Sequence, residues 1–255
     1  MKKILFSGFC ALFATSAFAA DMPVKAPVAP AVAAFRWTGC YVGIHGGYGW
    51  GRNNNQFGQA IASGGTEGGE TFEFGPYDQN LDGGIFGGQV GCNYQFQQNW
   101  VIGGEGEFYW TGMKGSVITP EDGPDPGTFS QFQVKNRWDG DIAARIGYAW
   151  DRSLFYGKVG AAWGNFRYIE THDDFPVDNG CNSCSVTFDK TRVGLLLGVG
   201  WEYAFLDNWT IKVEYNHIDF GSHHIPYPNA NATIQSFEVT DRKDIVKVGV
   251  NYLFH

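Results

Sequence analysis

The sequence predicts an all-β fold, an eight-stranded antiparallel up-and-down transmembrane β-barrel with short periplasmic turns and long extracellular loops. Three observations predict it. Apolar residues recur at every second position in eight separate segments. The connections between those segments alternate between a few polar residues and long Gly/Asn/Asp/Pro-rich stretches. The apolar face of most segments ends in an aromatic ring.

The first segment, CYVGIHGGYGW, sets Val42, Ile44, Tyr48 and Trp50 against Tyr41, Gly43, His45 and Gly47. The second, FGGQVGCNYQF, places Phe86, Val90, Cys92, Tyr94 and Phe96 opposite Gln89, Asn93 and Gln95. In the third, WVIGGEGEFYW, Trp100, Ile102, Phe108 and Trp110 oppose Glu105, Glu107 and Tyr109. The fourth, WDGDIAARIGYAW, opposes Trp138, Ile142, Ala144, Ile146, Tyr148 and Trp150 to Asp139, Asp141 and Arg145. FYGKVGAAW then sets Phe155, Val159, Ala161 and Trp163 against Tyr156 and Lys158. VGLLLGVGWEYAF sets Val193 to Phe205, taken at alternate positions, against Gly198, Gly200 and Glu202. WTIKVEY opposes Trp209, Ile211, Val213 and Tyr215 to Thr210, Lys212 and Glu214. The last segment ends in KVGVNYLFH, where Val246, Val248, Val250, Tyr252 and Phe254 oppose Lys247, Gly249 and Asn251.

The turns QQN, DRS and LDN follow segments two, four and six. Stretches of roughly 20 to 33 residues follow segments one, three, five and seven, so all the short turns lie at one end, as in bacterial outer-membrane barrels. Trp50, Phe86, Trp110, Trp138 and Trp163 mark one end of the apolar face. Phe96, Trp100, Trp150, Phe155, Phe205, Trp209 and Phe254 mark the other. Two aromatic girdles around an aliphatic band fit strands that cross both membrane interfaces. A soluble barrel of the lipocalin kind would turn the apolar face inward around a ligand, and it has no reason to concentrate Trp and Tyr at strand ends.

Composition agrees: 36 Gly and 42 aromatic residues in a chain of 255 suit strands and weaken helices. MKK, the apolar run Ile4 to Phe18 and the small residues at Ala17 to Ala19 read as a secretory signal peptide over 1–19. An Ala/Pro/Val-rich tether is expected over 20–36, followed by the barrel over 37–255. Removing Lys2 and Lys3 from the 18 basic residues leaves 16 against 26 acidic ones, so no basic footprint for nucleic acid exists.

Eight strands enclose a lumen just wide enough for side chains to fill. Its expected lining holds Glu105, Glu107, Asp139, Asp141, Glu202 and Glu214 beside Arg145, Lys158, Lys212 and Lys247. Buried ions persist when paired, so these residues read as a structural salt-bridge network, with Arg145 serving Asp141 and Glu105. HIDFGSHH brings His217, Asp219, Ser222, His223 and His224 together near the loop end of the seventh segment. His217 and Asp219 continue the outward parity of Val213 and Tyr215, and no Ser is spaced as a prepared nucleophile. No catalytic, cofactor or metal residue is therefore expected. Cys181 and Cys184 are spaced to close a small ring in an oxidising compartment. Cys40 and Cys92, on the apolar faces of adjacent strands, are a second candidate disulfide.

WTGCYVGIHGGYGWG, NWTIKVEYNHIDFG and the AADMPVKAP leader resemble the small outer-membrane barrels of alpha-proteobacteria, described as porin-family, opacity-like or immunogenic outer-membrane proteins. Cys40 stands where an aromatic is more usual in that family. Lys247, Gly249, Tyr252 and Phe254 also resemble the C-terminal signal read by the barrel-assembly machinery, although His255 follows the usual terminal Phe. The resemblance implies a non-enzymatic barrel in the outer membrane of a Gram-negative bacterium, contributing to envelope integrity and presenting surface loops. Its implied partners are outer-membrane lipid, lipopolysaccharide and the assembly machinery, with an extracellular ligand left open and no cofactor. The alternative is a small-solute channel or a haem- or metal-binding receptor.

Overall fold

The computed structural model describes residues 35–56, 58–62, 70–74, 77–120, 129–173, 183–226, 232–233 and 236–254. Eight strands form the barrel wall: β1 (Gly39–Gln56), β4 (Tyr77–Phe96), β5 (Trp100–Thr111), β7 (Phe129–Trp150), β8 (Ser153–Asp173), β9 (Ser183–Ala204), β10 (Trp209–Pro226) and β12 (Ser236–Phe254). Between them lie β2 (Gly58–Ala62), β3 (Glu70–Phe74), β6 (Lys114–Pro120) and β11 (Ala232–Thr233). All pairings are antiparallel, and the ring closes because β1 pairs with both β4 and β12. Closure leaves the eight wall strands without an open edge along the span, which a lipid environment requires.

Alternation in sequence becomes inside and outside in space, since successive side chains of a strand point to opposite faces. Along β12, Leu253 is 1% exposed while Phe254 is 54% exposed. The predicted apolar face is the outer one: Ile44, Phe86, Trp110, Ile142, Trp150 and Val193 all lie open. A lipocalin-like interior is thereby overturned, because the aliphatic band and both girdles surround the barrel.

The turns at the periplasmic end are as short as expected. Gln97, Gln98 and Asp151 adopt left-handed backbone angles, with φ of 47°, 68° and 52°. Such angles match the twist of paired strands in tight hairpins. At the other end, the stretches expected as long loops are in part strand. β7, β8 and β9 run 22, 21 and 22 residues, about twice the ~9–11 that a tilted strand needs to cross the bilayer. Beyond the girdle, water on the outer face removes the need for apolar residues. The alternation fades there while backbone pairing continues as far as Asp173 opposite Ser183. β6 adds to this extension by pairing with β7, and β2, β3 and β11 form a separate small sheet.

Two irregularities lie near the extracellular girdle. The β10 register shifts between Asp219 and Ser222, where Gly221 takes φ 68° and donates its N–H to Asp219 Oδ1. The β7 register shifts between Asn136 and Trp138. The expected Cys40–Cys92 disulfide is formed, joining registered positions of β1 and β4 on the outer surface. The proposed Cys181–Cys184 ring lies outside the described residues because Cys181 does.

Candidate functional site: the barrel lumen

Reading every second residue from the periplasmic end of a strand traverses the lumen in layers. On β5 the order is Val101, Gly103, Glu105, Glu107, Tyr109; on β10 it is Thr210, Lys212, Glu214, Asn216, Ile218, Phe220. The periplasmic layer is apolar: Trp37, Val101, Ala149, Leu154, Tyr156 and Ala204 pack together, with Phe35 against them. Trp37 is fully buried, and its backbone N–H donates to Gln95 Oε1 at 2.8 Å. The extracellular layer is also largely apolar and includes Leu81, Tyr109, Met113, Phe166, Leu196, Ile218, Phe220 and Ile245.

Between the two lies a charge cluster. Lys212 Nζ sits 3.0 Å from Glu105 Oε2, 3.0 Å from Glu107 Oε1 and 3.6 Å from Glu214 Oε2. Lys158 Nζ contacts Glu214 at 2.8 Å, Glu105 at 3.2 Å and Glu107 at 3.5 Å. Lys247 Nζ bonds Glu214 at 2.9 Å and also Glu107. Arg145 reaches Glu202 at 2.8 Å and Glu105 at 3.5 Å. All these side chains are closed off from solvent, so each ammonium is shared among carboxylates rather than hydrated.

Glycine makes room for this arrangement. Tyr41 and Tyr156 flank Arg145, whose guanidinium carbon lies 5.6 Å and 4.0 Å from their ring centroids. A Cβ at Gly91 would strike the Tyr41 ring, and one at Gly200 the Tyr156 ring. The hydroxyl of Tyr41 donates to Glu105 at 2.7 Å and that of Tyr156 to Glu214 at 2.7 Å. Thr210 and Asn251 complete the shell of Glu202.

The carboxylate oxygens of Glu105, Glu107 and Glu214 lie within 4.8 Å of one another, a spacing that would suit a metal ion. Three lysine ammonium groups already neutralise them. Asp141 stands apart: its cation contact is Lys158 at 3.8 Å, and neither oxygen has a hydrogen-bond partner among the described residues. The expected Arg145–Asp141 pairing is therefore corrected to Arg145 with Glu202 and Glu105. Arg145 lies on the same strand as Asp141, four residues closer to the periplasm, and points its guanidinium to the Glu202 side.

Asp139 pairs with Lys243 at 2.6 Å and Arg192 with Asp241 at 3.2 Å, all within the extracellular half of the lumen. Sequence reasoning missed Arg192, Asp241 and Lys243 because they precede the apolar alternation of β9 and β12. Counting back by twos from Lys247 through Ile245 would have found Lys243 and Asp241.

Among the described residues, the histidine motif is not assembled into a site. His217 Nδ1 lies 2.7 Å from Asp244 Oδ1, which also accepts from the Tyr215 hydroxyl at 2.6 Å. Asp219 pairs with Arg242 at 3.1 Å. This group faces outward at the extracellular girdle, and the side chains of His223 and His224 lie outside the described residues.

A closed ring of amphipathic strands, belted by aromatics and filled by a paired polar core, defines a transmembrane β-barrel. The chain belongs to the outer membrane protein β-barrel domain family, whose model matches residues 10–254. It is 33% identical to the 31 kDa outer-membrane immunogenic protein of Brucella melitensis, over 258 residues and the whole of both chains. It is 29% identical to the 25 kDa outer-membrane immunogenic protein of Brucella abortus, covering 95% of this chain and 92% of that one. Among solved structures it is similar to the outer membrane protease OmpT from Escherichia coli, with TM-score 0.48, 11% identity, and 88% and 99% of the two chains covered. The protein is an outer-membrane protein of a Gram-negative bacterium.

Proposed function

We propose that the protein is a non-enzymatic, closed barrel that contributes to envelope integrity and holds its extracellular strands and loops at the cell surface. One observation carries this reading: two apolar layers and the intervening ion-pair cluster fill the lumen. An ion would have to cross both apolar layers, and a wide aqueous pore requires ~16–18 strands rather than eight. Outward-facing His217, already bonded to Asp244, has no nucleophile bonded to it among the described residues, which supports a role without catalysis.

The further parts of the reading follow the chain. Residues 1–19 act as a signal peptide and 20–36 as a periplasmic tether. Lys247, Gly249, Tyr252 and Phe254 form the signal for the barrel-assembly machinery, and lipopolysaccharide is the outer-leaflet partner. Reconstitution of the mature chain into planar bilayers tests closure. The expected result is an absence of stable conductance steps; discrete, long-lived openings would favour a small-solute channel instead. A deletion strain should gain detergent sensitivity.

A further inference from the structure

The outer surface carries a charge pattern that the barrel itself does not explain. Lys114 on β6 stands directly opposite Lys135 on β7, and Lys135 stands directly opposite Arg167 on β8. Three cations thus occupy consecutive registered positions, although like charges placed opposite one another destabilise a sheet. All three face outward: their chain neighbours Met113, Val134, Asn136, Phe166 and Tyr168 are buried inside.

The row ends in an anion on each side, since Lys114 opposes Asp82 and Arg167 opposes Asp189. Both anions are engaged. Asp82 accepts from the Tyr48 hydroxyl, and Asp189 binds Arg167 through two bonds of 2.7 and 2.9 Å. Arg137, at the β7 register shift, adds a fourth cation 3.7 Å from Asp189. Lys114 and Lys135 form no ion pair among the described residues.

Height fixes what this row meets. Trp110 pairs with Trp138 in the extracellular girdle, and the cations lie three or four positions beyond it. At ~3.4 Å per residue on a tilted strand, that is roughly 10 Å above the aromatic belt, at headgroup level. On the far side of the barrel the outward acids lie closer to the belt: Asp244 stands in register with Trp50, and Asp219 is paired with Arg242.

From this geometry we infer that Lys114, Lys135 and Arg167 form a binding row for the phosphate groups of a phosphorylated glycolipid in the outer leaflet. A phosphate set between registered cations turns their repulsion into charge-assisted hydrogen bonds. The inference rests on the proposed association with lipopolysaccharide and locates it on one side of the barrel.

The test uses the purified mature protein in detergent and in nanodiscs, with bisphosphorylated lipid A, phosphate-free lipid A and inorganic phosphate as probes. Native mass spectrometry and the shift in unfolding midpoint read binding. Wild type should retain bisphosphorylated lipid A and be stabilised by it, and phosphate-free lipid A should bind at least about tenfold less, the equivalent of one lost charged contact. The K114Q/K135Q/R167Q variant should lose the lipid-induced shift while its unfolding midpoint in lipid-free detergent falls only slightly, because the Arg167–Asp189 pair it breaks is partly exposed. Arg242→Gln, on the other side, should leave retention unchanged. Failure of wild type to bind would overturn the association with lipopolysaccharide itself; equal binding by the triple variant would overturn only this row. An equal response to inorganic phosphate would show a free-anion site and also overturn the lipid assignment.

Discussion

The lumen and the outer surface both place cations beside one another, under opposite physical terms. Inside, Lys158, Lys212 and Lys247 are closed off from bulk solvent and share Glu105, Glu107 and Glu214, so every ammonium has at least two carboxylates within reach. Outside, Lys114 and Lys135 stand in register with no ion pair among the described residues, because solvent and headgroups screen them. The difference teaches that charge in a small barrel is structural where it is enclosed and available for contact where it is not.

The comparison breaks most severely at Lys212. Lys212→Met should cost ~3–5 kcal/mol in chemical unfolding of the refolded barrel, because it leaves buried carboxylates uncompensated. Lys135→Gln should change the same midpoint by less than ~0.5 kcal/mol, as expected of a surface site. Similar losses at both positions would remove the distinction between the two regions.

The next effect concerns the outer surface near the periplasmic end. Cys40 and Cys92 close a loop across 52 positions, and Cys40→Ser should lower stability by ~2–4 kcal/mol, read against wild type with and without reductant. Lys212→Met should retain its deficit under reduction. The two effects should add, because the disulfide lies outside the wall and the ion pairs inside it.

Phe254 sharpens the comparison by separating packing from assembly. It lies exposed on the lipid face beside Tyr252, with ring centroids 5.0 Å apart. Phe254→Ser should cost ~1.5–3 kcal/mol in refolded samples. It should reduce assembly in cells far more, measured as heat-modifiable barrel in outer-membrane fractions. Normal assembly of the Ser variant would refute the signal reading of the C-terminus.

The smallest effect lies above the extracellular aromatic belt, outside the hydrocarbon core. Hydrogen bonds from Arg167, with Arg137 nearby, hold the Asp189 carboxyl below its usual value. A depressed folded-state pKa gives stabilisation that is present above the unfolded value of about 3.9 and is lost as pH falls through the folded value. Arg167→Gln should therefore move the Asp189 titration upward in NMR. An unmoved titration would show that the pair does not persist in solution.

Much of this molecule could be read before any coordinates. Strict alternation in segments such as VKVGVNYLF assigns Val246, Val248, Val250, Tyr252 and Phe254 to one face, since a period of two is a property of the extended backbone itself. The same rule put Glu105, Glu107, Glu202, Glu214, Arg145, Lys158, Lys212 and Lys247 together on the other face, and the structure encloses them there. Where the outer face meets water the rule loses its signal, so the extracellular half of β8 and β9 and the inward-facing Arg192 were not legible, whereas Lys243 lay within reach of the alternation that ends at Lys247.

The sequence by itself determined the eight wall strands, the lipid-facing side, the short-turn end and the enclosed charges between the two girdles, because each follows from local periodicity and composition. Only the tertiary structure decided which charges meet. Arg145 serves Glu202 and Glu105 rather than Asp141, and Lys114, Lys135 and Arg167 fall into one row, because cross-strand neighbours are set by register and barrel closure. Those are relations between segments far apart in the chain, and alternation within any one strand carries no information about them.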